Sequence, residues 1–101
     1  AGERILPEGW VEYTTTPTPT APKGEYGAYW WLNSGSPEDR TNRLFPSLPT
    51  DLYLAWGYEG QNVLVIPSRD LVLVHLGASV PPSETWNPEV FVGGVLDAIE
   101  Q

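Results

Sequence analysis

Three short apolar segments follow one another closely in the second half of the chain, and they constrain its fold more than any other feature. They are residues 52–57 (LYLAWG), 61–66 (QNVLVI) and 71–76 (LVLVHL). Each has the length and the side chains of a β-strand, bounded by turn-forming residues. The link 67–70 (PSRD) is short and turn-prone, so the last two segments are predicted to form an antiparallel hairpin.

The two strands of this hairpin are apolar on both faces. Val, Leu and Ile occupy successive positions in 61–66 and 71–76, with little alternation of polar residues. A strand of this kind lies in the middle of a sheet that is covered on both sides. One short helix cannot cover both faces, so we expect one face of the sheet to lack a covering layer within this chain.

The C-terminal helix has clear boundary signals. Asn87 is a good N-cap and Pro88 a good first helical residue, which predicts a helix over 88–100. Gly93 and Gly94 are unfavourable inside a helix and suggest close packing against a sheet or helix. Two apolar stripes run side by side along this helix: Phe91, Val95 and Ala98, and Val92, Leu96 and Ile99.

A fourth strand completes the expected fold. Residues 26–33 (YGAYWWLN) are rich in aromatic side chains, which suit a half-buried pleated surface. Its adjacent residues Trp30 and Trp31 would point to opposite faces. The sequence therefore predicts an α+β fold, an antiparallel β-meander of about four strands with the C-terminal helix packed on one face.

The remaining segments are predicted to be surface structure. A short helix is indicated within 1–13, with Pro7 at its first position. Residues 14–25 form a Thr/Pro-rich connector, in which proline favours a stiff, extended backbone. Residues 34–50 are expected to form a long ordered loop, and residues 77–86 a second loop.

Composition excludes several functions. The formal net charge is −8, which argues against a nucleic-acid or anionic-membrane partner. The chain has no Cys and a single His, His75, so neither a Cys-based nor a multi-His metal site is expected. No apolar run has the length of a membrane span, and no segment resembles a signal peptide. Met is absent, so we expect a processed, trimmed or partial chain.

The sequence contains no complete catalytic apparatus. None of its serines lies in a G-x-S-x-G setting or has a Lys three residues later, and Lys23 is its only lysine. A lone His in an apolar strand, such as His75, is more often a packed or edge residue than a base. The carboxylates are scattered, and no phosphate-binding glycine motif is present.

Two local features leave alternatives open. The segment 57–61 (GYEGQ) is either a plain tight turn, or a place where Gly60 allows close approach and Gln61 donates its backbone N–H to a ligand oxyanion. The five tryptophans could stack on a sugar, although such residues more often pack within a sheet.

The chain resembles the C-terminal part of the serine β-lactamase-related hydrolases over nearly its whole length. The resemblance rests on 2–11 (GERILPEGWV), 26–31 (YGAYWW), 55–61 (AWGYEGQ) and 65–74 (VIPSRDLVLV). This superfamily includes class C β-lactamases, DD-peptidases, related esterases and 6-aminohexanoate-dimer hydrolases. The resemblance implies that residues 1–101 are a single partial domain, a piece of the β-lactamase-like α/β sandwich.

The resemblance also assigns site residues. The superfamily's S-x-x-K and Y-x-N motifs lie upstream of the matched region, and neither occurs in this chain. Its third motif, K-T-G or H-x-G, lies on a strand at the edge of the active site, and Tyr58-Glu59-Gly60 falls at that position. Gly60 is kept, while Tyr58 replaces the usual Lys or His. The backbone N–H of Gln61 would be one arm of the oxyanion hole, and no metal or cofactor is implied.

The implied function is hydrolysis of an ester or amide through an acyl-enzyme, by the full-length protein only. An esterase or amidase is favoured over a β-lactamase, because the cationic residue that assists carboxylate recognition is replaced. The expected partners are this small-molecule substrate and either the N-terminal part of the same protein or a second copy on the uncovered sheet face. Two other functions stay open: a Trp-rich module that binds a sugar or a protein, and a structural or dimerisation domain.

Overall fold

The structure, a computed structural model, describes residues 2–78 and 86–100. Its main elements in chain order are α1 (Trp10–Thr14), β1 (Trp31–Leu32), β2 (Tyr53–Trp56), β3 (Asn62–Ile66), β4 (Leu71–His75) and α2 (Pro88–Ile99). The four strands form one antiparallel sheet in the order β1-β2-β3-β4. The predicted α+β meander with a C-terminal helix is confirmed. Of the loop predicted over 77–86, residues 79–85 lie outside the described residues.

The core lies between α2 and one face of the sheet. Leu54 on β2 pairs with Leu64 on β3, and both are fully buried. On α2, Val92 and Leu96 face them, four residues apart on one side of the helix. The other predicted stripe is not buried, since 39% of Phe91 is exposed. The remaining buried members of the core are Phe45, Leu48, Leu52 and Ile66.

The N-terminus of α2 is capped as the sequence predicts. The Asn87 side-chain oxygen accepts hydrogen bonds from the backbone N–H groups of Glu89 (3.0 Å) and Val90 (3.3 Å). These groups have no partner within the helix, so the cap satisfies donors that would otherwise need water. Pro88 occupies the first helical position, where a missing N–H is harmless.

We expect Asn87→Ala to lower the free energy of unfolding by about 1 kcal/mol, because both capping hydrogen bonds are lost. Urea denaturation followed by circular dichroism measures this change. Asn87→Asp is the matched control, since its carboxylate can accept the same bonds and should leave stability within about 0.5 kcal/mol. An equal loss in the two variants would contradict a capping role.

The two glycines of α2 do not mark a close contact. A Cβ placed on Gly93 or Gly94 would meet no heavy atom within 4 Å. The expectation of close packing at these positions is therefore wrong among the described residues. The sheet contacts the Val92 side of the helix, and the glycines lie outside that contact.

The opposite face of the sheet is open over β3 and β4. Val63 pairs with Val74 and Val65 with Val72, so the four valines share the face away from α2. Val72 and Val74 are 60% and 58% exposed. Among the described residues, this part of the face has no covering layer, as the sequence predicts. The expectation that both hairpin strands are interior is wrong for β4, which is an edge strand of the described sheet.

The aromatic segment 26–33 is not one continuous strand, because the chain reverses within it. Tyr29 has a φ of 72°, a left-handed conformation that ends any extended run. Tyr26 pairs with Trp31 across this reversal, and only Trp31–Leu32 joins the sheet.

Trp30 and Trp31 point to opposite faces, as predicted. Trp31 pairs with Leu54 and packs against the core. The Trp30 ring meets the Tyr53 ring edge-to-face with 4.8 Å between centroids. Because Tyr53 and Leu54 are consecutive in β2, their side chains lie on opposite faces of the sheet. Both tryptophans are therefore packing residues of the sheet.

The N-terminal segments differ in detail from the prediction. Helix α1 begins at Trp10 rather than Pro7, because Gly9 precedes it in a left-handed conformation with φ 80°. The connector 14–25 is a surface segment folded into turns rather than stiffly extended. Its turns are closed by bonds from the Ala21 N–H to the Thr18 carbonyl (3.1 Å) and from the Gly24 N–H to the Ala21 carbonyl (3.0 Å).

The long loop 34–50 is ordered by side-chain hydrogen bonds. Asn33, only 1% exposed, bonds to three of its carbonyls and to one of its N–H groups. Arg43 donates to the carbonyl of Pro46 at 2.6 Å. Hydrogen bonds from Thr41 hold the pKa of Asp39 below its usual value. No helix of the described residues is both long and apolar enough to cross a membrane.

Candidate functional site

The residues matched to the third motif form the turn between β2 and β3. Tyr58–Gly60 makes a single turn of 3-10 helix, and a bond of 2.7 Å from the Gly57 N–H to the Gln61 carbonyl closes the hairpin around it. Glu59 and Gly60 both have positive φ, 62° and 87°. Two successive residues of this conformation cannot continue a β-ladder, so the triplet lies between two strands, as the predicted strands 52–57 and 61–66 imply, whereas the superfamily's third motif lies on a strand. Residues 57–61 thus form a tight turn with a positive φ at Gly60, and Gln61 begins the extended backbone that leads into β3.

The site residues differ in exposure. The Tyr58 side chain is 86% exposed, Gly60 is buried, and Glu59 and Gln61 are intermediate. Outside the 3-10 turn, the backbone N–H of Gln61 has no acceptor among the described residues. Gln61 has φ −72° and ψ 125°, so the extended backbone of β3 begins with this free donor.

The Gln61 side chain fixes the turn to the end of β4. Its Oε1 accepts a bond from the Gly77 N–H at 3.1 Å, and its Nε2 donates to the Gly77 carbonyl. A side-chain amide that pairs with one peptide group in both directions resembles one more rung of a β-ladder. The hairpin turn therefore cannot move without the segment that follows β4.

His75 holds the same turn from a second direction. Its Nδ1 lies 2.8 Å from the carbonyl oxygen of Gly60, so a protonated Nδ1 donates to that carbonyl. The ring stacks on Trp86 with centroids 3.6 Å apart and 6° between the planes. Trp86 in turn donates from Nε1 to Oδ1 of Asn62 at 2.5 Å. This stack connects the turn to the segment that enters α2.

Sequence reasoning treated His75 only as a packed or edge residue and missed its contact with the turn. The strand register of the hairpin could have predicted this contact of His75. A hairpin centred on the link 67–70 places Asn62 opposite His75, which brings the imidazole beside the preceding residues Gly60 and Gln61. The contact of Trp86 could not be predicted in this way, because Trp86 is 24 residues from Asn62 and lies outside the hairpin.

The described residues bring together no complete nucleophilic site. The Ser68 and Ser47 hydroxyls donate to the carboxylates of Asp51 (3.0 Å) and Glu89 (2.9 Å), without a His or Lys beside them. A nucleophilic serine needs an adjacent base that can take its proton near neutral pH. No cluster of three metal-ligating side chains occurs in the residues the structure covers. The turn provides one group of chemical interest, the backbone N–H of Gln61, in a fixed position.

The comparison with known proteins found no relative of this chain. No protein-family model matches this chain, and searches of curated proteins and of solved structures found no match. The function therefore has to be argued from the residue pattern and from the geometry of the turn.

Proposed function

We propose that this chain is the C-terminal segment of a β-lactamase-related serine hydrolase that acts on an ester or amide through an acyl-enzyme. It contributes the third-motif turn, Tyr58-Glu59-Gly60, and one N–H of the oxyanion hole, that of Gln61. The support is the match of four sequence segments to that superfamily, in the same order. The chain alone is inactive, because it has no S-x-x-K and no Y-x-N motif.

One observation carries the proposal: the free N–H of Gln61 lies on a turn that is held in place from two sides. The Gln61 amide holds the turn through Gly77, and His75 holds it through Gly60. Donors stabilise a developing oxyanion best when they are fixed before the reaction, since no reorganisation is then needed. A mobile hairpin tip would not provide this.

In the reaction, a serine of the N-terminal part attacks the substrate carbonyl and gives its proton to a base of that part. The carbonyl oxygen becomes an oxyanion, which accepts hydrogen bonds from the Gln61 N–H and from the serine's own N–H. The intermediate expels the alcohol or amine with a proton and leaves an acyl-enzyme. Water then attacks the acyl group and releases the acid and the serine.

The turn favours substrates without a carboxylate beside the reacting carbonyl. Tyr58 stands where a cationic residue would assist recognition of a β-lactam carboxylate, and Glu59 is the only charged residue of the turn. A negative charge there would disfavour an anionic substrate group. We therefore propose an ester or an amide of the 6-aminohexanoate type as substrate, rather than a β-lactam.

The open sheet face supports the idea of a larger protein. The exposed Val72 and Val74 form part of an apolar surface with no cover among the described residues. In the proposed protein, its N-terminal part lies on this face. The second candidate function, a dimerisation domain, uses the same valines. Light scattering distinguishes the two candidate functions, because a monomer at high protein concentration would exclude dimerisation through this face.

Two measurements test the proposed function. The coding sequence upstream of Ala1 should contain S-x-x-K followed by Y-x-N, and an upstream sequence without them would refute the assignment. The 101-residue chain should not hydrolyse 4-nitrophenyl acetate above the rate of a protein blank. Turnover that is lost on replacing one of its own residues, such as Ser68→Ala, would show that the chain carries its own nucleophile.

A further inference from the structure

A cleft walled by aromatic rings lies on the side of the sheet away from α2. Helix α1 contributes Trp10, Tyr13 and Thr14, the reversal before β1 contributes Ala28, Tyr29 and Trp30, and β2 contributes Ala55. Its volume is about 530 Å³. Binding sites for small molecules are typically clefts of this size, walled mainly by apolar and aromatic side chains. We call it the aromatic cleft.

The two walls of the aromatic cleft are joined by a tight backbone contact. The Ala28 N–H donates to the Thr14 carbonyl at 3.0 Å. A Cβ on Gly27 would lie 2.3 Å from that carbonyl oxygen, so only glycine permits this approach. Trp30 is fixed by its edge-to-face contact with Tyr53. The elements that form the cleft are therefore fixed before binding, which lowers the loss of conformational entropy when a ligand binds.

Tyr29 is placed unusually for a structural residue. Its side chain is 90% exposed, and its backbone has φ 72°, where glycine is the ordinary choice. The chain reversal before β1 needs this backbone conformation, but an exposed ring adds little to the core, so core packing does not account for Tyr rather than Gly at this position. Strain of this kind often accompanies a functional role, and here it holds a ring at the mouth of the cleft.

We propose that the aromatic cleft binds an uncharged aromatic small molecule. None of its lining side chains is charged or carries an amide. The polar atoms of the lining are limited to three hydroxyls and two indole N–H groups, too few to pair every hydroxyl of a buried sugar, and an ion would lose its hydration without gaining an opposite charge. A neutral ring can stack on Trp30 and Tyr29 and lie over the small side chains of Ala28 and Ala55. This proposal does not depend on the proposed hydrolase activity.

The test uses the neutral dye N-phenyl-1-naphthylamine, whose fluorescence rises in an apolar site. We expect saturable binding of one dye per 101-residue chain. Tyr29→Gly should weaken binding about tenfold, because one stacking ring is lost. Ala55→Leu should weaken it further, because the larger side chain fills the cleft. Absence of saturable binding, or unchanged affinity in both variants, would overturn the proposal.

Control variants distinguish binding in the aromatic cleft from binding elsewhere on the chain. Val74→Thr, on the open sheet face, should leave the dye affinity unchanged, and a loss there would place the dye on that face and overturn the proposal. The urea midpoint of Tyr29→Gly should be no lower than that of the unaltered chain, because the strained φ is relieved. A lower midpoint would make Tyr29 structural and overturn its assigned role. Displacement of the dye by a neutral oligosaccharide, such as cellohexaose, would overturn the proposed ligand class.

Discussion

Replacing Asn33 by leucine should lower the free energy of unfolding by about 4 kcal/mol. The Asn33 Nδ2 donates to the carbonyls of Phe45 (3.0 Å), Leu48 (3.3 Å) and Pro49 (2.9 Å), and its Oδ1 accepts from the Phe45 N–H at 2.7 Å. Leucine has the same branched heavy-atom skeleton but larger methyl groups, so no cavity is left, and the loss combines the missing hydrogen bonds with some overpacking. Each buried backbone group left without a partner costs about 1–3 kcal/mol. Urea denaturation followed by tryptophan fluorescence measures it.

The size of this effect matters because a domain of this length has a total stability of about 5–15 kcal/mol. Asn42→Leu is the matched control, since the same substitution is made at an exposed position of the same loop. It should change stability by no more than about 0.5 kcal/mol. If Asn33→Leu were as mild as this control, the loop would be held by something other than the buried amide.

The sequence predicted best those elements whose pattern is local. The hairpin of β3 and β4 follows from two apolar runs joined by a proline-containing link, and its strands differ from the predicted bounds by one residue. The start of α2 follows from Asn87 and Pro88, because capping involves only the neighbouring backbone. In these elements propensity, patterning and capping all favour the same structure.

The predictions that failed depend on contacts between distant segments. Composition alone makes 26–33 a strand, but the backbone contact of Gly27 with Thr14 and the left-handed Tyr29 reverse the chain there. The buried role of Asn33 likewise depends on carbonyls 12 to 16 residues away. Such pairings are set by tertiary packing, which overrides local propensity.

The candidate site was predicted only in part, because some of its residues also come from distant segments. The motif pattern directed attention to residues 57–61, and the structure places them in one turn with Gln61 at its end. The partners that hold the turn, His75 and Gly77, come from the far end of the hairpin. Their contribution could be derived only from the strand register, since no motif contains them.

In the proposed full-length hydrolase, the second large effect is expected for Gln61→Pro. Proline removes the backbone N–H, and the φ of −72° at Gln61 already fits a proline ring. That N–H has no acceptor outside the 3-10 turn among the described residues, so its removal breaks no bond between the strands. Loss of one oxyanion donor lowers kcat by about 10²–10³-fold. Steady-state kinetics with a chromogenic ester measure this, with KM expected to change little.

Gln61→Ala separates the backbone donor from the side chain. Alanine keeps the N–H but loses both bonds to Gly77, so any effect of loosening the turn is present in this variant as well. The ratio of kcat between the alanine and proline variants then reports on the N–H alone, and it should be at least about tenfold. Equal kcat values in the two variants would show that the Gln61 N–H does not contact the transition state, because a donor that does so cannot be removed without loss of rate.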